Sequence, residues 1–251
     1  MKKFSQEELE QDHRPEVITE RLNQPPKTQN ISDAVLGAID GCVTTFAVVS
    51  GAYGAGFSPM VALVLGFANL FADGFSMAVS NYEANKAQKE FTDNIRHIEE
   101  QHIDQIPEGE REEIRQIFQQ KGFNGQVLEE IVDTICQDKK LWIDTMLTEE
   151  HGVQTFAPNA IRAAMTTFLA FLFVGSIPLM PFLVPSWEMD TQFMFSAILA
   201  GIMFFLIGSL KSLFLLKPLF RSGLSTLLTG GAAASLAFIT GYVLRELFGI
   251  A

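Results

Sequence analysis

Three long stretches without a charged residue constrain this chain more than any other feature. Residues 163–187, 191–210 and 222–244 contain no Asp, Glu, Lys or Arg. Each stretch reaches the length of roughly 20 apolar residues that a helix needs to cross a bilayer. Two further stretches, 34–57 and 59–82, are equally apolar except for Asp40 and Asp73. A soluble helical core rarely needs several uncharged runs of this length, so the pattern predicts a membrane protein.

The predicted fold is an all-α membrane protein with five transmembrane helices and a three-helix cytoplasmic insert between helices 2 and 3. The predicted spans are 33–57, 59–84, 159–184, 192–213 and 222–245. They divide the chain into an N-terminal segment (1–32), transmembrane helices 1 and 2 (33–84), the insert (85–157) and transmembrane helices 3 to 5 (158–251). Residues 1–30 are polar and lack the apolar core of a signal peptide.

The orientation follows from the Lys and Arg residues near the ends of the spans. The N-terminal segment, the start of the insert and the fourth connection (211–221) are basic near the membrane, whereas the first connection (54–59) and the third (184–190) contain no Lys or Arg. The positive residues at the start of the insert and in the fourth connection are Lys86, Lys89, Arg96, Lys211, Lys217 and Arg221. We therefore expect the N-terminus and the insert in the cytoplasm and the C-terminus outside.

The insert is acidic and has a helical pattern. Residues 87–154 contain sixteen Asp and Glu against seven Lys and Arg, a balance of −9, which argues against nucleic acid and suits cations. We predict helices at 85–104, 108–121 and 125–150, the last with a break near Asp138. Apolar residues at spacings of three and four predict a small core: Ile95, Ile98, Ile106, Ile114, Ile117, Phe118, Val127, Leu128, Ile131, Ile135, Leu141 and Ile143. Cys42 and Cys136 form no disulfide framework.

Polar residues within the first two spans need a reason, because an aspartate at mid-span costs about 2.5–3.5 kcal/mol on insertion scales. Asp33, Asp40 and Thr44 share one face of the first span with Gly37. Asn69, Asp73, Met77 and Asn81 follow one another four residues apart on the second. Carboxylate, amide and thioether ligands suit Fe²⁺ or Mn²⁺ better than Mg²⁺ or Ca²⁺. The alternative interpretations are structural. An aspartate can form a hydrogen bond with a neighbouring helix, and a methionine can serve packing alone. The glycines can serve close helix packing, either within one chain or between the first spans of two chains in a dimer.

Three pairs of possible metal ligands lie in the insert. Glu99 and His102, Glu110 and Glu113, and Met146 and Glu150 each stand three or four residues apart, so each pair can face one side of its helix. The alternative is a solvated acidic surface. Glu99-x-x-His102 also matches half of a di-iron carboxylate motif, whose second Glu-x-x-His is absent from this sequence. A membrane-tethered ferroxidase and a metal sensor therefore stay open beside a metal transporter.

Several segments resemble signatures of the vacuolar iron transporter family. DGCVTTFAVVSG at 40–51 resembles its first-helix signature, and ANLFADGFSMA at 68–78 resembles its second. Weaker matches follow in FLAF at 168–171 with IPLMP at 177–181, in GSLK at 208–211 and in GGAAA at 230–234. The resemblance covers residues 30–247 and includes the position of the insert.

The resemblance implies a homodimer, without enzymatic activity or a cofactor, that exports Fe²⁺ and often Mn²⁺ from the cytoplasm in exchange for protons. The implied membrane is the bacterial cytoplasmic membrane. The translocation path would carry Asp40 and Met77 at the dimer interface, with Asp33 at its cytoplasmic mouth. The implied metal ligands of the insert are Glu99, His102, Glu110, Glu113, Met146 and Glu150.

Two positions depart from the family pattern. His102 replaces the usual glutamate, which keeps a metal ligand but shifts preference towards nitrogen-loving metals. Ser80-Asn81-Tyr82 replaces the Gly-Glu-Tyr common in bacterial members and removes a carboxylate near the cytoplasmic end of span two.

Overall fold

The computed structural model describes residues 5–23, 28–154, 159–215 and 218–249, and their regular structure is helical. Lys217, on which part of the orientation argument rests, lies outside these residues. The α-helices are α1 (Gln6–Asp12), α2 (Pro15–Asn23), α3 (Thr28–Gly54), α4 (Pro59–Gln105), α5 (Pro107–Gln120), α6 (Gly125–Cys136), α7 (Lys139–Glu149), α8 (Ala160–Ser176), α9 (Met189–Leu215) and α10 (Leu219–Phe248). A 3₁₀ helix, Ile177–Leu183, continues α8.

The chain forms two compact units. The first comprises residues 1–82 and 160–251, and the second comprises residues 83–159. Five helical segments are long and apolar enough to cross a membrane, as predicted: Ile31–Gly54, Pro59–Gln105, Ala160–Leu183, Met189–Ser212 and Leu219–Phe248. The second differs from expectation, because the predicted span 59–84 and the predicted first helix of the insert, 85–104, are one unbroken helix of 47 residues. The run 83–93 contains neither Gly nor Pro, so nothing in the sequence ends the helix where the apolar stretch ends.

Helix α3 lies at the centre of the first unit and packs against α8, α9 and α10. Glycines permit these close approaches. A Cβ atom on Gly37 would lie 2.2 Å from the Thr167 carbonyl oxygen in α8, and one on Gly54 would lie 2.3 Å from the Phe238 carbonyl oxygen in α10. The glycines of the first span therefore serve close helix packing within one chain.

The end of the third span is adapted to two prolines. Pro181 has no N–H to donate to the Pro178 carbonyl oxygen one 3₁₀ turn earlier. Ser196 of α9, which is fully buried, donates its hydroxyl to that oxygen at 2.7 Å. A neighbouring helix thus satisfies the backbone group that the proline leaves free, as an apolar environment requires.

The second unit contains the end of α4 together with α5, α6 and α7. The predicted helix 125–150 is divided into α6 and α7 at the predicted break, where the Asp138 carboxylate accepts hydrogen bonds from the backbone N–H groups of Lys140 and Leu141 at 2.9 and 3.2 Å and caps α7. The insert therefore contains the end of α4, which corresponds to the first predicted helix, and three separate helices in place of the two others that were predicted.

The core of this unit differs in part from the predicted one. Its buried members are Ile95, Ile103, Ile114, Leu128, Val132, Ile135, Trp142, Ile143, Met146, Leu147 and Val153. Four predicted core residues are exposed instead: Ile98, Ile106, Val127 and Leu141. Ile98, Val127 and Leu141 each lie beside the buried stripe of a helix, and Ile106 lies between α4 and α5, so spacing alone could not separate the two groups.

Candidate metal sites

Two glutamates are buried together in the insert, which is unusual for charged side chains. Glu99 of α4 is 2% exposed and Glu110 of α5 is 1% exposed. One carboxylate oxygen of each, Oε2, is buried without a hydrogen-bond partner. Burial of a carboxylate without compensating partners is costly, so buried charges are normally paired or bound to a metal.

Two histidines flank the buried pair. His102 Nδ1 lies 3.2 Å from Glu110 Oε1, and His151 Nε2 lies 2.9 Å from Glu99 Oε1 and 3.6 Å from Glu150 Oε2. Ligand atoms of Glu99, His102 and Glu110 lie within 4.8 Å of one another, and so do those of Glu99, Glu150 and His151. Glu99 belongs to both groups, so its carboxylate can bridge two neighbouring metal positions.

The acidic residues of the insert fall into two classes by their partners. The described ion pairs of Glu99 and Glu110 are with the two histidines. Five arginines and lysines of the insert pair with other carboxylates: Arg96 with Asp144, Arg111 with Asp133, Arg115 with Glu112 and Glu129, Lys121 with Glu149, and Lys139 with Asp104. These permanently charged side chains thus lie around the cluster and not in it. The negative charge of the cluster is therefore left to be neutralised by protons or metal ions.

The electrostatics of the cluster reflect this arrangement. Burial, followed by the charges of the nearby Glu113 and Glu99 carboxylates, raises the pKa of Glu110 to about 8. Burial also raises the pKa of Glu113, as do Glu150 and Glu99, while His102 and His151 act in the opposite direction. Glu113 is exposed, yet its interactions place it at the edge of the same cluster.

The structure therefore brings together five of the six residues predicted for the insert: Glu99, His102, Glu110, Glu113 and Glu150. The sixth, Met146, is fully buried in the hydrophobic core of the insert, and its role as a ligand stays a prediction. His151 is an addition that sequence spacing did not provide. It lies beyond the end of α7, directly after Glu150, so a spacing rule for residues within one helix passes over it.

In the first unit, polar residues of α3, α4 and α8 form a network around Asp33, which is 8% exposed. The Asn81 amide donates to Asp33 Oδ1 at 3.0 Å and to Thr167 Oγ1 at 2.7 Å. Asp33 Oδ2 is buried without a hydrogen-bond partner. One oxygen of this carboxylate is therefore held in place while the other is available to a cation.

The deeper residues on α3 and α4 form a second polar group. The Asp40 and Asp73 carboxylates are close enough for their charges to interact. Both residues are half-buried, as are Asn69 and Met77. The amide nitrogen of Asn69 is buried without a hydrogen-bond partner, and Met77 packs against the cluster that contains Leu70 and Phe171.

The comparison with protein families identifies the family of this chain. The family model described as the VIT family matches residues 31–242, which include all five spans' apolar cores and the insert. The chain belongs to the VIT family.

Named members of the VIT family align with most of this chain. A vacuolar iron transporter of Toxoplasma gondii is 30% identical over 230 residues, which cover 87% of this chain and 76% of the relative. One of Plasmodium falciparum is 28% identical over 226 residues, covering 86% and 83%. Vacuolar iron transporter 1 of Arabidopsis thaliana is 27% identical over 217 residues, covering 86% of each protein. The resemblance read from the two helix signatures is thereby confirmed.

Proposed function

We propose that this VIT family member exports divalent transition metal, Fe²⁺ and also Mn²⁺, from the cytoplasm in exchange for protons. Its relatives are named vacuolar iron transporters, and the family is a transporter family and not a family of enzymes. The metal is accordingly the transported substrate. The observation that carries the proposal is the pair of interacting carboxylates, Asp40 and Asp73, within two apolar helices.

Neither of the two predicted spans that carry Asp40 and Asp73 contains a Lys or Arg side chain to neutralise the pair. Between residues 28 and 85 the chain contains no Lys or Arg, and the other spans carry theirs near their ends, at Arg162, Lys211, Arg221 and Arg245. Two carboxylates at close range repel each other unless a proton or a cation neutralises them. Because a carboxylate binds metal when deprotonated, metal and protons compete for the same oxygens. Such competition is a physical basis for exchanging one for the other.

The remaining polar residues suit a transition metal moving along this path. Asp33 offers one buried oxygen, and Met77 offers a thioether four residues from Asp73. A thioether favours softer ions over Mg²⁺ and Ca²⁺, while the carboxylates accept Fe²⁺ and Mn²⁺. We assign Asp33, Asp40, Asn69, Asp73 and Met77 to the transport pathway.

We assign the insert to metal capture at the cytoplasmic side. Glu99, His102, Glu110, Glu113, Met146 and Glu150 would hold two or three ions, with Glu99 shared between positions. An acidic segment of this kind raises the local concentration of cations. The Lys and Arg distribution supports an N-terminus and insert in the cytoplasm and a C-terminus outside. Homodimer assembly in a bacterial cytoplasmic membrane completes the proposal.

The test is metal flux into proteoliposomes that contain the full-length protein. Fe²⁺ transport should accelerate when a proton gradient opposes it, and Asp40→Ala should abolish transport while the protein still folds. Glu188→Ala, in the exposed connection before α9, is the control and should transport normally. Wild-type flux equal to that of empty liposomes for every metal and gradient would refute the proposal.

Two other functions correspond to distinct results of the same experiments. A ferroxidase would consume oxygen with Fe²⁺ and be indifferent to Asp40→Ala. A sensor would bind metal through the insert and show no flux. The presence of aspartates within the spans favours transport, because neither alternative needs their insertion cost.

A further inference from the structure

His151 occupies a position from which it can bind metal, although it was absent from the predicted set. Its Nε2 atom lies 2.9 Å from Glu99 Oε1 and 3.6 Å from Glu150 Oε2. Tetrahedral ligands that lie 2.0–2.1 Å from a metal ion are about 3.3–3.4 Å apart. The three side chains therefore already stand at separations that one ion could bridge.

The chain after α7 holds His151 in this place. Gly152 has a φ of 63°, a left-handed conformation that favours glycine, and it turns the backbone back towards the insert. The Val153 N–H then donates to the Leu147 carbonyl oxygen at 2.8 Å, and the Val153 side chain is buried in the core. The chain at His151 is thus held by α7 on its N-terminal side and by the buried Val153 on its C-terminal side.

An ion pair between His151 and Glu99 does not by itself explain the arrangement. The Glu99 side chain is 3% exposed, and the histidine contacts one of its two oxygens. The other oxygen, Oε2, is buried without a hydrogen-bond partner. A metal ion between the groups would supply the missing partner, since it can bind both the imidazole and the carboxylate.

We propose that His151 is a metal ligand together with Glu99 and Glu150, and that it gives the insert a preference for Fe²⁺, Co²⁺ and Zn²⁺ over Mn²⁺ and Mg²⁺. With His102 on the other side of Glu99, each of the two ligand groups then carries one imidazole. Imidazole suits Fe²⁺, Co²⁺ and Zn²⁺, whereas sites built of carboxylates alone suit Mg²⁺ and Mn²⁺. The proposal rests on metal capture by the insert, which is part of the proposed function.

The experiment measures binding of Co²⁺ and Mn²⁺ to full-length protein in detergent. An Asp40→Ala background weakens the transport pathway as a second binding site. His151→Leu removes the ligand, and His151→Glu replaces its nitrogen with oxygen. His97→Leu is the matched control, because His97 is an exposed histidine of the same insert that contacts Glu100 and Gln101.

His151→Leu should lower Co²⁺ affinity at least about tenfold, since even the outer partners of metal ligands contribute that much. His151→Glu should recover Mn²⁺ binding and lose the preference for Co²⁺, and His97→Leu should match the parent. X-ray absorption of bound Zn²⁺ should show fewer imidazole ligands in His151→Leu. An unchanged affinity ratio and imidazole count in that variant would overturn the proposal.

These measurements separate the present proposal from transport. Loss of selectivity in His151→Leu would support His151 as a metal ligand even if proteoliposomes showed no flux. The absence of flux would then contradict the export function alone. Normal flux with unaltered metal selectivity in His151→Leu would contradict the ligand and leave export intact.

Discussion

The Asn81 amide donates a hydrogen bond to the Asp33 carboxylate at 3.0 Å, linking α4 to the first span. The same amide donates to Thr167 of α8 at 2.7 Å. One side chain thus joins three helices of the first unit. The resemblance to the family suggested a lost carboxylate at position 81, and the structure shows what the amide does in its place.

Replacing this amide should destabilise the protein. Asn81→Leu leaves Asp33 Oδ1 buried without its donor, which we expect to cost about 1–3 kcal/mol of unfolding free energy. Asn81→Asp instead sets a second carboxylate against Asp33, so its stability should depend on a divalent cation. Thermal unfolding in detergent, with and without Co²⁺, measures both effects.

Ser80→Leu is the control for these variants, because Ser80 is the exposed neighbour on the same helix. It should unfold at the parental temperature with or without metal. Stabilisation of Asn81→Leu and Asn81→Asp by Co²⁺ to the same extent would contradict a direct role of the added carboxylate.

The glycines of α3 provide a second prediction. A Cβ atom on Gly37 would lie 2.2 Å from a backbone oxygen of α8, so Gly37→Ala must push two helices apart. We expect a loss of about 1–3 kcal/mol or more from this overpacking. Gly231→Ala is the matched control, because a Cβ there has no atom within 4 Å although the residue also lies within a helix, α10. Equal unfolding temperatures for the two variants would contradict the close packing of α3 on α8.

The sequence was sufficient for the five spans, because uncharged runs of bilayer length leave few alternatives. It was insufficient where the same spacing of apolar residues fits both a buried and an exposed side chain. Leu141 and Leu147 are both leucines of α7, yet one is exposed and the other fully buried. Which of them faces the core depends on the neighbouring helices, and spacing along α7 does not contain that information.

The metal cluster shows the same limit. Pairs three or four residues apart correctly placed Glu99 near His102 and Glu110 near Glu113, because a helix alone brings such residues to one side. The contact of His151 with Glu99 joins residues 52 positions apart. It depends on how the chain turns after α7, and the isolated glycine at 152 was the sole local signal of that turn.

The third prediction compares two neighbouring glutamates of α5. Glu113 interacts with the Glu99 and Glu150 charges of the cluster, whereas Glu112 forms an ion pair with Arg115. Glu113→Ala should weaken metal binding by the insert and slow transport without abolishing it, because Glu99 and Glu110 remain. Glu112→Ala should bind metal and transport as the parent does. Isothermal titration and proteoliposome flux measure the two effects, and equal behaviour of the variants would contradict the cluster.

The last prediction concerns pH. The pKa of Glu110 is raised from 4.5 to about 8, so the folded insert retains a proton that the unfolded chain releases near pH 4.5. Stability falls with rising pH wherever the folded state binds more protons than the unfolded state. In the absence of metal, the stability that protonated Glu110 contributes to the insert should therefore be fully present below pH 4.5 and be lost as the pH rises through 8. Metal binding has the opposite dependence, because it requires the deprotonated carboxylate.

Trp142 offers a direct measurement, because it is buried in the core of the insert and Trp187 is the other tryptophan of the chain. In a Trp187→Phe background, the fluorescence of Trp142 reports thermal unfolding of the insert within the full-length protein. Without metal, the midpoint temperature of unfolding should decrease as the pH is raised from 5 to 8. Added Co²⁺ should restore the midpoint temperature at pH 8. Glu110→Gln should reduce both responses, because the neutral amide neither titrates nor offers a carboxylate to metal. A parental pH slope in Glu110→Gln would assign the titration to another group.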